Sequence, residues 1–152
     1  MDSGNSKYSQ TSFPHLTKAP ILEAVIDVKI KILPEQSLDI LKNAHDKIKV
    51  DYPDIKQRKS RQVKIEMAKD LQQPIELKEF IEGYMFTSAD GYNMLQFRRN
   101  GFTLSRVKNY KTFDSLLEEA IKQWGLYTTT VGDITISRVA VRYINQIRYR
   151  FH

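Results

Sequence analysis

An almost unbroken alternation of apolar and polar side chains over residues 21–32 is the strongest constraint on how this chain folds. Every even position from Leu22 to Ile32 is apolar, and four of the five odd positions from Glu23 to Lys31 are charged. A period of two with one polar face indicates a strand that turns one face to a core and the other to water. Such a strand requires a sheet with a second layer over its apolar face.

The end of the chain repeats this alternation with arginine as the charged residue. Odd positions over 139–151 are mostly apolar, and the even positions carry four basic residues: Arg138, Arg142, Arg148 and Arg150. In a regular strand these arginines share one face, because alternate side chains point the same way. We expect the even residues of 22–32 and the odd residues of 139–151 to be buried together with Trp124.

Two segments have the periodicity of amphipathic helices. One covers residues 35–50, after Pro34, which suits a first helical turn. The other covers residues 112–124, with Thr112 as N-cap and Gly125 as left-handed C-cap. The apolar stripe predicted for this second helix comprises Phe113, Leu116, Leu117, Ala120, Ile121 and Trp124.

The segment between the helices is rich in strand and turn signals. Residues 54–61 are basic and indicate a loop, whereas alternation over 63–67 predicts a short strand. Residues 70–82 leave a short helix beginning near Pro74 as an open alternative. Residues 84–87 predict a further strand, which the turn residues 89–91 bring to an end.

A hairpin follows over residues 92–105. Asn100-Gly101 favours a type I′ turn and predicts that Arg98 faces Thr103 and Phe97 faces Leu104. One hairpin face is then apolar, with Leu95, Phe97, Phe102 and Leu104. The other face is polar, with Gln96, Arg98, Thr103 and Ser105.

This order of elements predicts an α+β fold with a single antiparallel sheet of five to six strands and two helices packed on one face. Residues 1–12 are small and polar, and we expect a flexible tail there. Residues 13–152 then form a single α+β domain.

Composition excludes several classes of site. The chain has no Cys, which removes disulfides, thiolate metal sites and a Cys nucleophile. Its glycines are isolated, so no phosphate-binding loop is indicated, and no cofactor is expected. Glu23 and Asp27 lie four residues apart on one strand, roughly 13 Å, which is too far for a shared metal or a carboxyl pair on one bond. No apolar run reaches the length of a membrane span, and no signal peptide is evident; we expect a cytoplasmic protein without a membrane partner.

Charge is distributed unevenly along the chain. Residues 1–90 contain 14 basic and 14 acidic side chains, whereas residues 91–152 contain 10 basic and 4 acidic ones. Parity places Arg98, Arg138 and Arg142 on the polar sheet face, and these are the candidate anion- or partner-binding residues. Three interpretations remain open: an anion-binding platform, a salt ladder with Glu23 and Asp27, and an interface covered by further protein.

Several short motifs, taken in order, resemble a sporadically distributed bacterial family of uncharacterised proteins. Its marks are an FPxLxxAPIxEA segment, a QFxxxGF hairpin and an RYIN strand. In this chain they correspond to Phe13-Pro14-His15-Leu16, Ala19-Pro20-Ile21, Glu23-Ala24, Gln96-Phe97, Gly101-Phe102, Tyr110 and Arg142 to Ile147. Family members usually continue beyond the RYIN strand, so the resemblance, which covers roughly residues 13–148, is to an N-terminal half. It implies a bacterial or phage-associated setting and no catalytic residues.

These observations favour a non-enzymatic interaction module with a basic sheet face. Its expected partner is another protein or a second copy of the chain, because an unfinished sheet edge invites pairing. One alternative is a protein that binds nucleic acid or another polyanion. The other is the N-terminal half of an enzyme whose catalytic groups are not among these residues.

Overall fold

The computed structural model describes residues 21–64 and 76–145, except for the side chains of residues 62–64 and 76–77. The predicted tail over 1–12, Pro74, Arg148 and Arg150 therefore lie outside the described residues. The elements in chain order are β1 (Ile21–Ile30), α1 (Ser37–Asn43), a 3₁₀ turn (Ala44–Lys47), β2 (Asp54–Lys64), β3 (Glu76–Thr87), β4 (Asn93–Arg98), β5 (Gly101–Arg106), α2 (Phe113–Val131) and β6 (Ile136–Asn145).

The six strands form one antiparallel sheet in the order β2-β3-β4-β5-β1-β6. Both helices cover the same face, so the predicted α+β fold is confirmed. β1 lies inside the sheet, between β5 and β6, and among the described strands the edges are β2 and β6. No helix among the described residues is long and apolar enough to cross a membrane.

The core lies between the sheet and the two helices. It contains the apolar hairpin residues as predicted, and Phe97 is at its centre, with ring centroids 5.3 Å from both Phe86 and Tyr127. Ala24, Ile26, Val28 and Ile30 of β1 are buried there too, which confirms the face assigned to them. The ends of that alternation, Leu22 and Ile32, are exposed.

The second helix begins as predicted but ends later. The Thr112 hydroxyl accepts a hydrogen bond from the Ser115 N–H at 3.1 Å, which confirms the N-cap. Gly125 is not the C-cap, since α2 continues to Val131 and ends at Gly132, whose φ is 79°. A glycine inside a helix costs about 1 kcal/mol relative to alanine, and the burial of Tyr127 in the extra turns offsets that cost.

The apolar stripe of α2 is narrower than predicted. Leu116 and Ala120 are buried, and Trp124 packs edge-on against Phe102 at 5.5 Å. Leu117 and Ile121 are exposed instead, Ile121 by 62%. A helix that contacts a sheet on one side buries about one residue per turn along the line of contact. Leu117 and Ile121 lie about 100° around the helix from the buried residues that precede them, so they stay at the border of the contact.

The second strand was predicted only at its end, where residues 63 and 64 of the strand expected over 63–67 belong to β2. Residues 54–61, which indicated a loop, belong to β2, and the part of 70–82 that the structure describes belongs to β3 rather than to a helix. β2 pairs with β3 along its whole length, and charged pairs such as Arg61–Glu79 span the two strands at 3.6 Å. A charged edge strand lacks the alternation that identifies half-buried strands, which is why its pattern resembled a loop.

The hairpin turn lies one residue earlier than predicted. Arg98 faces Gly101 and Phe97 faces Phe102, so the two-residue loop is Arg99-Asn100. A Cβ at Gly101 would collide with the Val28 carbonyl of β1, which shows that this glycine serves the close approach of two strands. The two faces of the hairpin are nevertheless as predicted. The observed register differs from the predicted one by two residues, and a shift by an even number keeps each side chain on its face.

The odd residues of β6 point to the helix side, but they are not buried. Val139, Val141 and Tyr143 are 62%, 43% and 44% exposed, contrary to the prediction that they pack with Trp124. Each lies opposite a buried residue of β1. The reason is the position of α2, which packs mainly against β5 and β1 and leaves the edge strand uncovered.

Candidate functional site

Polar and charged side chains collect on the sheet face that the helices leave free. A groove of about 640 Å³ lies there, with its floor on β1, β4 and β5. One wall carries Arg58 and Glu82, and the other carries Arg142 of β6. The candidate residues Arg98 and Arg138 share this face with Arg142, as parity predicts.

Arg98 is not the exposed cation that the sequence predicted. Its side chain is only 10% exposed and lies along the floor of the groove. Its neighbours across the sheet are Gly83 on β3 and Gly101 on β5. Because Gly101, on the strand between them, has no side chain, the guanidinium can cross β5 and reach Asp27 of β1. A Cβ at Gly101 would lie 3.0 Å from the guanidinium Nη2, so the glycine and the arginine depend on each other.

Asp27 and Arg98 form a closed hydrogen-bonded network with their neighbours. The Arg98 Nη2 donates to Asp27 Oδ1 at 3.2 Å, and the Thr103 hydroxyl donates to the same oxygen at 2.6 Å. That hydroxyl also accepts from Arg98 Nη1 at 2.5 Å. The Gln96 Oε1 accepts from Arg98 Nη1 at 3.0 Å, and the Asn100 Oδ1 accepts from Arg98 Nε at 3.2 Å. No buried side-chain nitrogen or oxygen is left without a partner in the described part of the chain.

The charge state of Asp27 follows from this network. Burial by itself raises the pKa of the carboxyl, but the Thr103 hydrogen bond and the positive charge of Arg98 bring it below the ordinary value of 3.8. The charge of Arg142 acts in the same direction. The lowered pKa keeps this carboxylate negatively charged at neutral pH, so it serves as the anionic member of the ion pair with Arg98.

Arg142 lines the β6 side of the groove, and Arg138 lies beside the groove on the same face of that strand. Arg138 lies 3.8 Å from Asp27 Oδ2 with its side chain 61% exposed, so the salt ladder, one of the three interpretations, is present at Asp27. Arg142 lies opposite Val25 and is exposed. Within residues 21–64 and 76–145 it makes no ion pair, which leaves its guanidinium accessible from the groove.

A second polar cluster lies on the helix side of the sheet. The Tyr52 hydroxyl donates to Glu119 Oε1 at 2.9 Å, and burial together with this carboxylate raises the pKa of Tyr52. His45 contacts the Tyr52 carbonyl at 2.7 Å and stacks on Phe86. His45 is thus a packed residue at the border of the core, and the cluster fastens the segment after α1 to α2.

The described residues offer no metal site. No group of three His, Cys, Asp or Glu among them is placed to hold a metal ion. The groove itself is lined by carboxylates, arginines and hydroxyls that mostly bind one another. The groups that its rim offers to a ligand are charges and hydrogen-bonding side chains.

The Asp27–Thr103–Arg98 network was missed at the level of sequence. An isolated glycine inside a strand pattern signals close approach, and Gly83 and Gly101 both carry that signal. They do not say which residue approaches. That depends on β1 lying next to β5, which no local pattern shows.

Comparison with protein-family models, curated proteins and solved structures finds no match to this chain. The resemblance of its motifs to a bacterial family stays a prediction. A functional proposal therefore rests on the geometry of the groove and of β6.

Proposed function

We propose that this protein is a non-enzymatic interaction module that binds an acidic segment of a partner protein at the β6 rim of the groove. The observation that supports it is the accessible guanidinium of Arg142, next to the largely exposed Arg138. Arginine presents a planar fork that matches a carboxylate with two parallel hydrogen bonds.

The groove favours an acidic protein segment over a nucleic-acid backbone. Glu23, Asp27 and Glu82 line it together with the arginines, so a row of phosphates along the groove would meet three carboxylates. Arg98 and Arg58 are engaged with Asp27 and Glu82. The remaining positive charge is local to β6 and to Lys29, which lies opposite Arg138 on β1. Such a small cluster suits one or two carboxylates and not a continuous polyanion.

The test is a double charge reversal, Arg138→Glu with Arg142→Glu, and the probes are a polyglutamate peptide and duplex DNA. We expect polyglutamate to bind the natural chain and to lose that binding in the double variant. The matched control, Lys56→Glu with Lys59→Glu, makes the same charge change on exposed residues of β2 and should retain binding.

Two results would contradict the proposal. Unchanged polyglutamate binding in the double variant would show that the β6 rim is not the site. Tighter binding to DNA, weakening steeply with salt and lost in the double variant, would support the polyanion alternative instead. The enzyme alternative predicts an activity that a longer chain shows and residues 1–152 alone do not show.

A further inference from the structure

The outer edge of β6 combines features that sheet proteins normally avoid. β6 is the terminal strand of the sheet, and within the described residues no other strand pairs with its outer edge. Its pairing with β1 is regular from Arg138 to Ile144, because the register shifts lie at the two ends of the ladder. A regular edge presents a row of unpaired N–H and C=O groups to any incoming strand.

The helix-side surface of β6 is apolar as well as exposed. Val139, Val141 and Tyr143 follow one another at every second position, and none of the three is more than about 60% covered. Residues 136–145 contain no proline, and no charged side chain points to this side. The usual devices that protect an edge, such as inward-pointing charges or proline, are missing from this stretch.

The other side of β6 selects the partner. Arg138 and Arg142 occupy alternate positions around Ala140 on the groove face. A strand added here would place its own alternate residues against these arginines, and opposite charges across strands attract. β1 shows part of such a complement from the inner side: Asp27, opposite Ala140, contacts Arg138 on the groove face, while Ile26 and Val28 lie on the apolar face.

We propose that β6 binds an extended segment of a partner protein as a seventh strand, and that this segment alternates apolar with acidic residues. This rests on the proposed function and adds the mode of binding and the partner's pattern. The apolar residues would cover Val139, Val141 and Tyr143, while the acidic ones would pair with Arg138 and Arg142. Main-chain hydrogen bonds would supply affinity and the alternation would supply specificity.

A second copy of the chain is a weaker candidate for this edge. Antiparallel pairing of β6 with itself about a two-fold axis keeps each face continuous, so groove-side residues meet groove-side residues. Four arginines would then gather on one surface, and β6 contains no acidic residue to compensate them. Like charges on neighbouring strands destabilise the pairing.

The experiment compares three synthetic peptides on the natural chain: alternating valine and glutamate, the same peptide with alternate backbone amides methylated, and polyglutamate. We expect the alternating peptide to bind roughly tenfold more tightly than polyglutamate, since apolar cross-strand pairs are added to the charge pairs. The methylated peptide should lose that gain, because it cannot donate its main-chain hydrogen bonds. Hydrogen exchange should slow at alternate amides of 138–144 when the peptide binds.

Val139→Lys tests the apolar side of the strand. This residue is 62% exposed, so the fold should tolerate the change, and thermal unfolding verifies this. We expect the variant to bind the alternating peptide no better than polyglutamate, while polyglutamate binding stays the same. Ile121→Lys, an equally exposed apolar residue on α2, is the matched control and should bind both peptides as the natural chain does.

Several outcomes would overturn strand addition separately from the proposed function. Equal affinities for the methylated and unmethylated peptides, with charge reversal still effective, would leave an acidic rim site without a seventh strand. Slow exchange at the outer β6 amides in the free monomer would show that another segment of the chain already occupies the edge. A dimer in sedimentation that Val139→Lys dissociates would assign the edge to a second copy.

Discussion

β1 and β6 are neighbouring strands with the same kind of alternating pattern and opposite degrees of burial. Ile26 is 6% exposed and Val141, directly opposite it, is 43% exposed. The next pair along, Val28 and Val139, differs more, at 8% and 62%. β1 has a strand on each side and α2 above it, whereas β6, within residues 21–64 and 76–145, has one neighbouring strand and no helix over it. Alternation thus specifies which face a side chain joins and not how deep the strand lies.

The largest effect should come from the charged residue at the centre of β1. Asp27→Ala removes the carboxylate that binds Arg98 and leaves a buried guanidinium without this counter-charge. We expect unfolding by denaturant to show a loss of about 3–5 kcal/mol. Arg138→Ala breaks the more exposed contact to the same carboxylate and should cost less than about 1 kcal/mol. Similar costs for both variants would contradict the distinction between the two strands.

A matched pair of apolar truncations tests the difference in depth directly. Ile26→Ala opens a cavity beneath the helices and should cost about 2–5 kcal/mol. Val141→Ala, on the opposite residue of the edge strand, should cost less than about 1 kcal/mol. If the two losses were equal, β6 would have to be covered in solution.

The same comparison applies within α2. Leu116 is fully buried, and Leu116→Ala should cost about 2–5 kcal/mol. Ile121→Ala, on an exposed position of the same helix, should change stability by no more than about 0.5 kcal/mol. Thermal unfolding of both variants measures the difference. A larger loss for Ile121→Ala than for Leu116→Ala would show that Ile121 is buried, as the wider stripe predicted from the sequence requires.

A smaller effect is expected from acid. The pKa of Asp27 is lowered in the folded chain, so its contribution to stability is complete above about pH 4 and is lost as the pH falls through the folded pKa. The free energy of unfolding should therefore fall on acidification below the ordinary value of 3.8. Asp27→Asn should flatten this part of the profile, and an unaltered acid limb would assign the loss to other carboxylates.

The smallest effect on stability should come from the double charge reversal at Arg138 and Arg142. Both lie on exposed positions of the edge strand, so the melting temperature should move by only a few degrees. The Arg138 contact with Asp27 is lost, which accounts for that small shift. A large loss, repaired in part by Glu23→Lys, would mean that the salt ladder is the main role of these arginines.

Local patterns predicted the faces of the sheet well, and they failed where a long-range contact decides. Thr112 as an N-cap, the apolar side of the hairpin and the even positions of β1 follow from geometry within a few residues. Residues 54–61 of β2 were missed because a charged edge strand has no alternation to detect. The turn at Arg99-Asn100 was displaced because Gly101 serves a neighbouring strand and not the turn.

For the candidate site, parity alone placed Arg98, Arg138 and Arg142 on one face, since side chains in a strand alternate whatever surrounds it. Which of them is accessible depends on strand order, and strand order depends on contacts between residues far apart in the chain. β1 beside β5 brings Asp27 to within 3.2 Å of Arg98, 71 positions away, and so buries one arginine. β6 at the edge leaves the other two exposed. The sequence by itself determined the face of each side chain, and only the tertiary structure decided its depth, because depth is set by neighbours that no local period encodes.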